Sequence, residues 1–120
     1  MSTVLVVDDV ETELALISGI LKESGFQVRQ ASDGDDAIAQ IQDQSPDLVV
    51  LDVIMPRMNG FEVIRELRSN PKTEHLPVVF CTQKDTAIDR TWGTELGGDA
   101  YLGKPFESQQ LIEMIRRLLV

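Results

Sequence analysis

The sequence is poor in the residues that build zinc sites and disulfide frameworks. Its 120 residues include one cysteine and one histidine. A single thiol cannot form an internal disulfide, and no Cys/His cluster exists to hold zinc. Cys81 lies between Phe80 and Thr82 in an apolar run, which favours a buried structural thiol. His75 lies in a proline-flanked loop, where we expect an exposed side chain.

Positive charge is also scarce. Eleven Lys and Arg residues stand against 20 Asp and Glu residues, which gives a formal net charge of -9 at pH 7. A polyanion such as DNA would be repelled by this chain rather than held by phosphate contacts. We therefore expect neither nucleic acid nor an anionic membrane surface as a direct partner.

Long hydrophobic runs and linkers are absent. The N-terminal apolar run, Val4 to Val7, has no basic leader and is followed at once by aspartate, so it predicts neither a signal peptide nor a membrane span. We expect a cytoplasmic protein. With 42% hydrophobic and 26% charged residues and no low-complexity tract or repeat, residues 1–120 are typical of one globular domain.

Five short apolar runs predict β-strands. They are residues 3–7, 27–31, 48–52, 78–82 and 100–103. The first, third and fourth are continuously apolar and predict central strands buried on both faces, whereas the second and fifth predict edge strands. Helical patterns separate the runs, and this alternation favours an α/β fold with a parallel sheet covered by helices on both faces.

Apolar residues at helical spacing predict the connecting helices, each with one apolar face. The sets are Leu14, Ile17 and Leu21; Ala37, Ile38 and Ile41; Val63, Ile64 and Leu67; Ile88, Trp92 and Leu96; and Leu111, Ile112, Ile115, Leu118 and Leu119. Gly25 follows the first set and Gly97-Gly98 the fourth, where glycine is typical of a helix end.

Polar residues stand at the carboxyl ends of the predicted strands. Asp8 and Asp9 follow the first strand, Asp52 ends the third, Thr82 ends the fourth, and Lys104 follows the fifth. In an open parallel sheet, ligands bind beyond these ends, so we expect the five side chains to share one rim. Taken alone, the adjacent aspartates are more typical of a solvated turn or a helix cap than of a ligand site, and it is Asp52 and Lys104 that reverse this interpretation.

Three carboxylates on one rim repel one another unless a cation or protons intervene. Oxygen ligands in this number suit a hard cation, and Mg²⁺ in particular. Asp52, alone at the end of a central strand, is the natural nucleophile toward phosphorus. Lys104 would then pair with the phosphoryl oxygens, and the Thr82 hydroxyl would donate a hydrogen bond to them.

Four motifs at strand ends, in the order VVDD, LDVIMPRMNG, CT and YLGKPF, resemble the receiver domain of bacterial two-component response regulators. The resemblance extends over essentially the whole chain. It implies a flavodoxin-like (βα)5 fold, in which a doubly wound parallel sheet of five strands has the order 2-1-3-4-5.

The resemblance also implies roles for individual residues. Asp52 would be the phosphoacceptor and Asp9 a direct Mg²⁺ ligand. Asp8 would be a ligand or a water-mediated neighbour of the metal, and the backbone carbonyl of Ile54 a further ligand. Lys104 would bind the phosphoryl group and precede a cis proline.

A signalling mechanism follows from the same resemblance. A histidine kinase or phosphotransfer protein would donate the phosphoryl group, and Mg²⁺-dependent self-phosphorylation and autodephosphorylation would make the chain a signalling protein rather than an enzyme. Thr82 and Tyr101 would form the switch pair that changes the surface of helix 4, strand 5 and helix 5, where a target protein binds.

The resemblance also bears on pathway and assembly. The last predicted helix reaches Val120, so we expect a stand-alone receiver with no output domain. We expect a monomer, and dimerisation on phosphorylation stays open. The segment 89–106 resembles the twitching-motility branch, which suggests a role in chemotaxis or type IV pilus motility.

Three alternatives come from other classes. A pseudo-receiver has the same fold but works without phosphorylation, and retention of the site residues argues against it. Aspartyl phosphatases resembling haloacid dehalogenases carry a second aspartate two residues after the nucleophile, where this chain has Ile54. A flavin-binding protein of this topology needs a hydroxyl-rich phosphate loop after the first strand, and the sequence DDVETE found there would repel phosphate.

Overall fold

The computed structural model describes residues 2–120, in which five strands alternate with five helices. The elements are β1 (Thr3–Val7), α1 (Glu11–Glu23), β2 (Gln27–Ala31), α2 (Gly34–Asp43), β3 (Leu48–Leu51), α3 (Gly60–Arg68), β4 (Val78–Thr82), α4 (Ala87–Glu95), β5 (Ala100–Gly103) and α5 (Ser108–Leu118). All neighbouring strands pair in parallel, in the order β2-β1-β3-β4-β5. The predicted fold class and strand order are confirmed.

Burial along the strands follows the predicted division into centre and edge. Every residue of β3 and β4 is buried, whereas β2 has exposed or partly exposed residues at four of its five positions. Strand β3 ends at Leu51, one residue earlier than predicted. Asp52 therefore lies just beyond the strand, so its side chain does not have to point to one face of the sheet as strand residues do in alternation.

The sheet separates two apolar layers because successive strand residues point to opposite faces. Leu5 and Val7 join the layer covered by α2 and α3, while Val4 and Val6 join the layer covered by α1 and α5. Helices thus cover both faces of the sheet.

Helix α4 forms where the spacing predicted it, but its apolar face is not the buried one. Ile88 and Trp92 are 68% and 58% exposed, whereas the buried residues of this helix are Asp89 and Gly93. The physical reason is the ring of Tyr101, which lies so close beneath α4 that only a residue without a side chain fits above it. Ile88 and Trp92 consequently face outward, whereas Leu96, the C-cap of the helix, packs against the core as predicted.

We expect Gly93→Ala to destabilise the fold, although alanine is the better helix former. Its Cβ would lie 2.8 Å from the ring of Tyr101 and 3.2 Å from that of Phe80. Such overpacking costs about 1–3 kcal/mol, more than the roughly 0.5–1 kcal/mol gained from helix propensity. At Gly19, in α1, a Cβ would meet nothing within 4 Å, so Gly19→Ala should be stabilising. Urea unfolding measures both, and shifts of the same sign would contradict the packing argument.

The cysteine and the histidine lie as the sequence predicts. Cys81 is 1% exposed, and burial raises the pKa of its thiol to about 12. The side chain of His75 is 92% exposed. None of the helices within residues 2–120 is both long enough and apolar enough to traverse a bilayer.

Candidate functional site

Backbone hydrogen bonds beyond the strand ends hold the site residues at the carboxyl edge of the sheet. The N–H of Asp52 donates to the carbonyl of Val7 (3.0 Å), which ties the end of β3 to the end of β1 next to Asp8. The N–H of Lys104 donates to the carbonyl of Thr82 (2.9 Å), which ties the end of β5 to that of β4. The Lys104-Pro105 peptide is cis. Residues far apart in sequence thus share one rim.

The ammonium group of Lys104 lies at the centre of this rim. Its Nζ is 2.7 Å from Oδ2 of Asp8, 3.1 Å from Oδ2 of Asp52 and 3.3 Å from Oε2 of Glu13. The side chains of Lys104, Asp8 and Asp52 are almost completely buried, whereas that of Glu13 is 30% exposed. One cation therefore contacts three carboxylates.

Burial and charge act in opposite directions on the central pair. Burial alone would lower the pKa of Lys104, but the hydrogen bond to Asp8 and the charges of Asp52 and Asp8 outweigh it and raise the pKa above 10.5. Burial raises the pKa of Asp8 above 3.8, more than the hydrogen bonds from Lys104 and from the N–H of Val10 lower it. The lysine is therefore positively charged, and its single positive charge does not balance the negative charges of the three carboxylates around it.

The surplus negative charge makes the rim a candidate cation site. One carboxylate oxygen from each of Asp8, Glu13 and Asp52 lies within 4.8 Å of the other two. This donor set consists of oxygen atoms alone, which suits a hard divalent cation such as Mg²⁺. A bound cation would also relieve the repulsion between carboxylates that a single ammonium group leaves.

A small open cavity of about 120 Å³ adjoins these carboxylates. Its lining residues are Asp9, Val10, Glu13, Asp52, Ile54 and Gln83. Asp9 is exposed here and is not one of the three closely grouped acids, so its role as a metal ligand stays a prediction. The N–H of Ile54 donates to Oδ1 of Asp52 (3.2 Å), which orients the carboxylate. The role of the Ile54 carbonyl also stays a prediction.

Gly60 allows helix α3 to begin directly against the Asp52 backbone. A Cβ at this position would come 2.2 Å from the carbonyl oxygen of Asp52 and 2.9 Å from the Cα of Val53. The N–H of Gly60 donates to the carbonyl of Val53 (3.0 Å), and the Asn59 side chain caps the helix. This close approach fixes the loop that carries Asp52.

The predicted switch residues, Thr82 and Tyr101, both bond to the backbone of Lys84. The buried Thr82 hydroxyl accepts a hydrogen bond from the N–H of Lys84 (3.1 Å), and the Tyr101 hydroxyl donates to the Lys84 carbonyl. Tyr101 is 9% exposed, and the Cζ atom of Arg90 lies 5.5 Å from the centroid of its ring. Burial, with added repulsion from Asp89, raises the pKa of Tyr101 to about 12. One short segment thus connects the two side chains.

Comparison with known proteins decides the family. Residues 4–116 match the response regulator receiver domain. The chain belongs to this family. The receiver domain is 36% identical to Protein PilH of Pseudomonas aeruginosa over 119 residues, which are 99% of this chain and 98% of PilH. It is 44% identical to the probable transcriptional regulatory protein TcrX of Mycobacterium tuberculosis over 98% of this chain, but spans 49% of that protein.

Solved structures show the same likeness. The receiver domain superposes on the chemotaxis protein CheY4 of Vibrio cholerae with a TM-score of 0.93 and 31% identity, covering 99% of both chains. A response regulator from Chloroflexus aurantiacus gives a TM-score of 0.95 and 33% identity, covering 98% of this chain and 97% of that one.

Glu13 is the member of the receiver domain's rim that sequence analysis did not single out. It lies in the first turn of α1, four residues after Asp9, so the start of this helix directly follows the strand-end aspartates. An acid at this spacing from the strand-end aspartates is the signal that would have predicted its presence on the rim.

Proposed function

We propose that this receiver domain is a phosphorylation-dependent switch of a two-component phosphorelay, in which Asp52 accepts a phosphoryl group from a histidine kinase or phosphotransfer protein. The observation that carries the proposal is the buried ammonium group of Lys104 held between the carboxylates of Asp8 and Asp52. The rim thus contains the nucleophile Asp52, the positive charge of Lys104 and acidic ligands for a divalent cation. Family membership makes the aspartyl phosphatase and flavin-binding alternatives less fitting.

The chemistry that the rim supports is transfer to a carboxylate oxygen. An oxygen of Asp52 bonds to phosphorus while the bond from phosphorus to the donor imidazole nitrogen breaks, and that nitrogen keeps the electron pair. Water later attacks phosphorus, which releases inorganic phosphate and restores the carboxylate. Lys104 orients and neutralises the transferring oxygens as a point charge.

Magnesium, when bound, neutralises the phosphoryl oxygens and stabilises the charge that develops on them. Asp8, Asp9, Asp52 and the carbonyl of Ile54 would hold it. The geometry supports this assignment most directly at Asp8 and Asp52, because their carboxylates are buried, close together and short of positive charge.

The readout of phosphorylation would pass through Lys84. Thr82 is expected to turn its hydroxyl toward the phosphoryl group, which breaks its bond to the Lys84 N–H. The Tyr101 hydroxyl depends on the carbonyl of the same residue, so movement of this segment changes the ring's inward position. The surface of α4, β5 and α5, where Trp92 is exposed, would then bind or release a target protein.

The proposed partners are a histidine kinase or phosphotransfer protein and a downstream target protein. The receiver domain covers 98% of PilH and 99% of CheY4, whereas it spans about half of TcrX. Segment 89–106 resembles the twitching-motility branch, and the similarity to PilH supports the same pathway. The proposed target protein therefore acts in pilus motility or chemotaxis. The formal charge of -9 favours a protein target over nucleic acid.

Acetyl phosphate tests the proposed function without a cognate kinase. With millimolar Mg²⁺, we expect the intact mass of the protein to increase by one phosphoryl group, because the rim supplies the nucleophile and the countercharge itself. With EDTA in place of Mg²⁺, the increase should be lost. No mass gain under either condition would instead support a pseudo-receiver.

A further inference from the structure

Three carboxylates surround the Lys104 ammonium group. It donates hydrogen bonds to Asp8 and Asp52, and the Glu13 carboxylate forms an ion pair with it at 3.3 Å without a hydrogen bond. We expect an incoming phosphoryl oxygen to displace one of these carboxylates from its place beside the lysine. Identifying that carboxylate shows which residue competes with the incoming group.

Two of the three carboxylates are poorly placed to yield. Asp8 is 1% exposed, makes the shortest contact with Lys104 at 2.7 Å, and accepts a second hydrogen bond from the N–H of Val10 at 2.9 Å. Asp52 is the residue that carries the phosphoryl group, and the N–H of Ile54 holds its other oxygen. Both carboxylates are thus fixed by further contacts.

Glu13 is the carboxylate that can move. Its contact with Lys104 is the longest of the three at 3.3 Å, and its side chain is the most exposed. It lines both the cavity beside Asp52 and a second one of about 240 Å³ between α1 and the loop around Pro105. Open space on two sides lets the side chain leave the lysine without disturbing the core.

We propose that Glu13 is a positioning residue that pairs with the Lys104 ammonium group until the phosphoryl group replaces it. This inference rests on the proposed function and assigns to that site a fourth acid, beside Asp8, Asp9 and Asp52. Before transfer, Glu13 holds the lysine in the rim and adds negative charge beside the cation site. During transfer, its carboxylate competes with the phosphoryl oxygens for the same ammonium group.

The Glu13→Gln substitution should therefore change Mg²⁺ affinity and the rate of phosphorylation in opposite directions. Removing a negative charge beside the cation site should weaken Mg²⁺ binding by about three- to tenfold, since Coulomb attraction over a few ångströms is only partly screened. Removing the competitor for Lys104 should raise the rate of phosphorylation at saturating Mg²⁺ by about twofold or more. A purely structural role would not separate the two measurements.

Two further variants serve as controls. Glu11→Gln removes the same charge from the same helical turn at an exposed position, and it should change both quantities little. Glu13→Asp keeps the charge but shortens the side chain. It should bind Mg²⁺ nearly as the wild type does and still be phosphorylated faster, because its carboxylate no longer reaches Lys104.

Titration calorimetry with Mg²⁺ alone and intact-mass kinetics with acetyl phosphate measure these effects on the full chain. Weaker Mg²⁺ binding together with faster phosphorylation in Glu13→Gln is the result we expect. If the wild type is phosphorylated but Glu13→Gln behaves like Glu11→Gln, this inference alone is overturned. If the wild type binds Mg²⁺ yet takes no phosphoryl group, the proposed function fails and this inference with it.

Discussion

Asp52→Asn should keep the fold and accept no phosphoryl group. An amide has no anionic oxygen to attack phosphorus, so we expect the mass gain from acetyl phosphate or a phosphohistidine donor to fall to background. The shape of the side chain is retained, and its amide oxygen can still accept the hydrogen bond that the N–H of Ile54 donates to Asp52 at 3.2 Å. Loss of one charge also reduces the repulsion with Asp8.

Intact-mass measurement, combined with circular dichroism to verify the fold, checks this expectation. Asp43→Asn is the matched control, because Asp43 is an exposed residue at the end of α2 and lies outside the rim. This control should gain one phosphoryl group as the wild type does. A folded Asp52→Asn protein that still gained the phosphoryl mass would show that another residue is the acceptor.

The strands of the sheet could be predicted because each one shows a pattern of apolar residues within a few consecutive positions. Strand β4 is apolar at nearly every position and is buried throughout, and the alternating β2 lies at an edge. Helix α4 was predictable in place but not in orientation. Its buried face depends on the Tyr101 ring beneath Gly93, and helical spacing contains no information about a neighbour from another strand.

The site was predictable as far as the geometry of parallel strands determines it. Asp8, Asp52 and Lys104 each follow a strand end, so their meeting follows from the topology. The sequence did not show that Asp8 is buried while Asp9 is exposed, because that depends on which of two consecutive residues faces the sheet. It also left out Glu13, whose carboxylate belongs to the rim because Lys104 reaches across to it.

Lys104→Met should lower the free energy of unfolding of the metal-free protein by about 3 kcal/mol at pH 7. Lys104 is the single ammonium group that contacts Asp8 and Asp52 within residues 2–120, and methionine retains most of its length without the charge. Removing one partner of a buried ion pair costs about 3–5 kcal/mol, because the remaining charge is left buried without compensation. We take the lower end because the Glu13 carboxylate is partly exposed.

The destabilisation by Lys104→Met should grow with pH, and this separates it from a packing defect. Burial already raises the pKa of Asp8 in the folded protein, and loss of the lysine raises it further because the hydrogen bond that lowers it is gone. The folded variant then binds more protons than the unfolded chain, so its stability decreases as pH rises from about 4 through the raised pKa. Urea unfolding in EDTA at pH 5 and pH 7 measures this, with the exposed Lys22→Met as control. A loss independent of pH, or equal to that of Lys22→Met, would contradict the uncompensated charge.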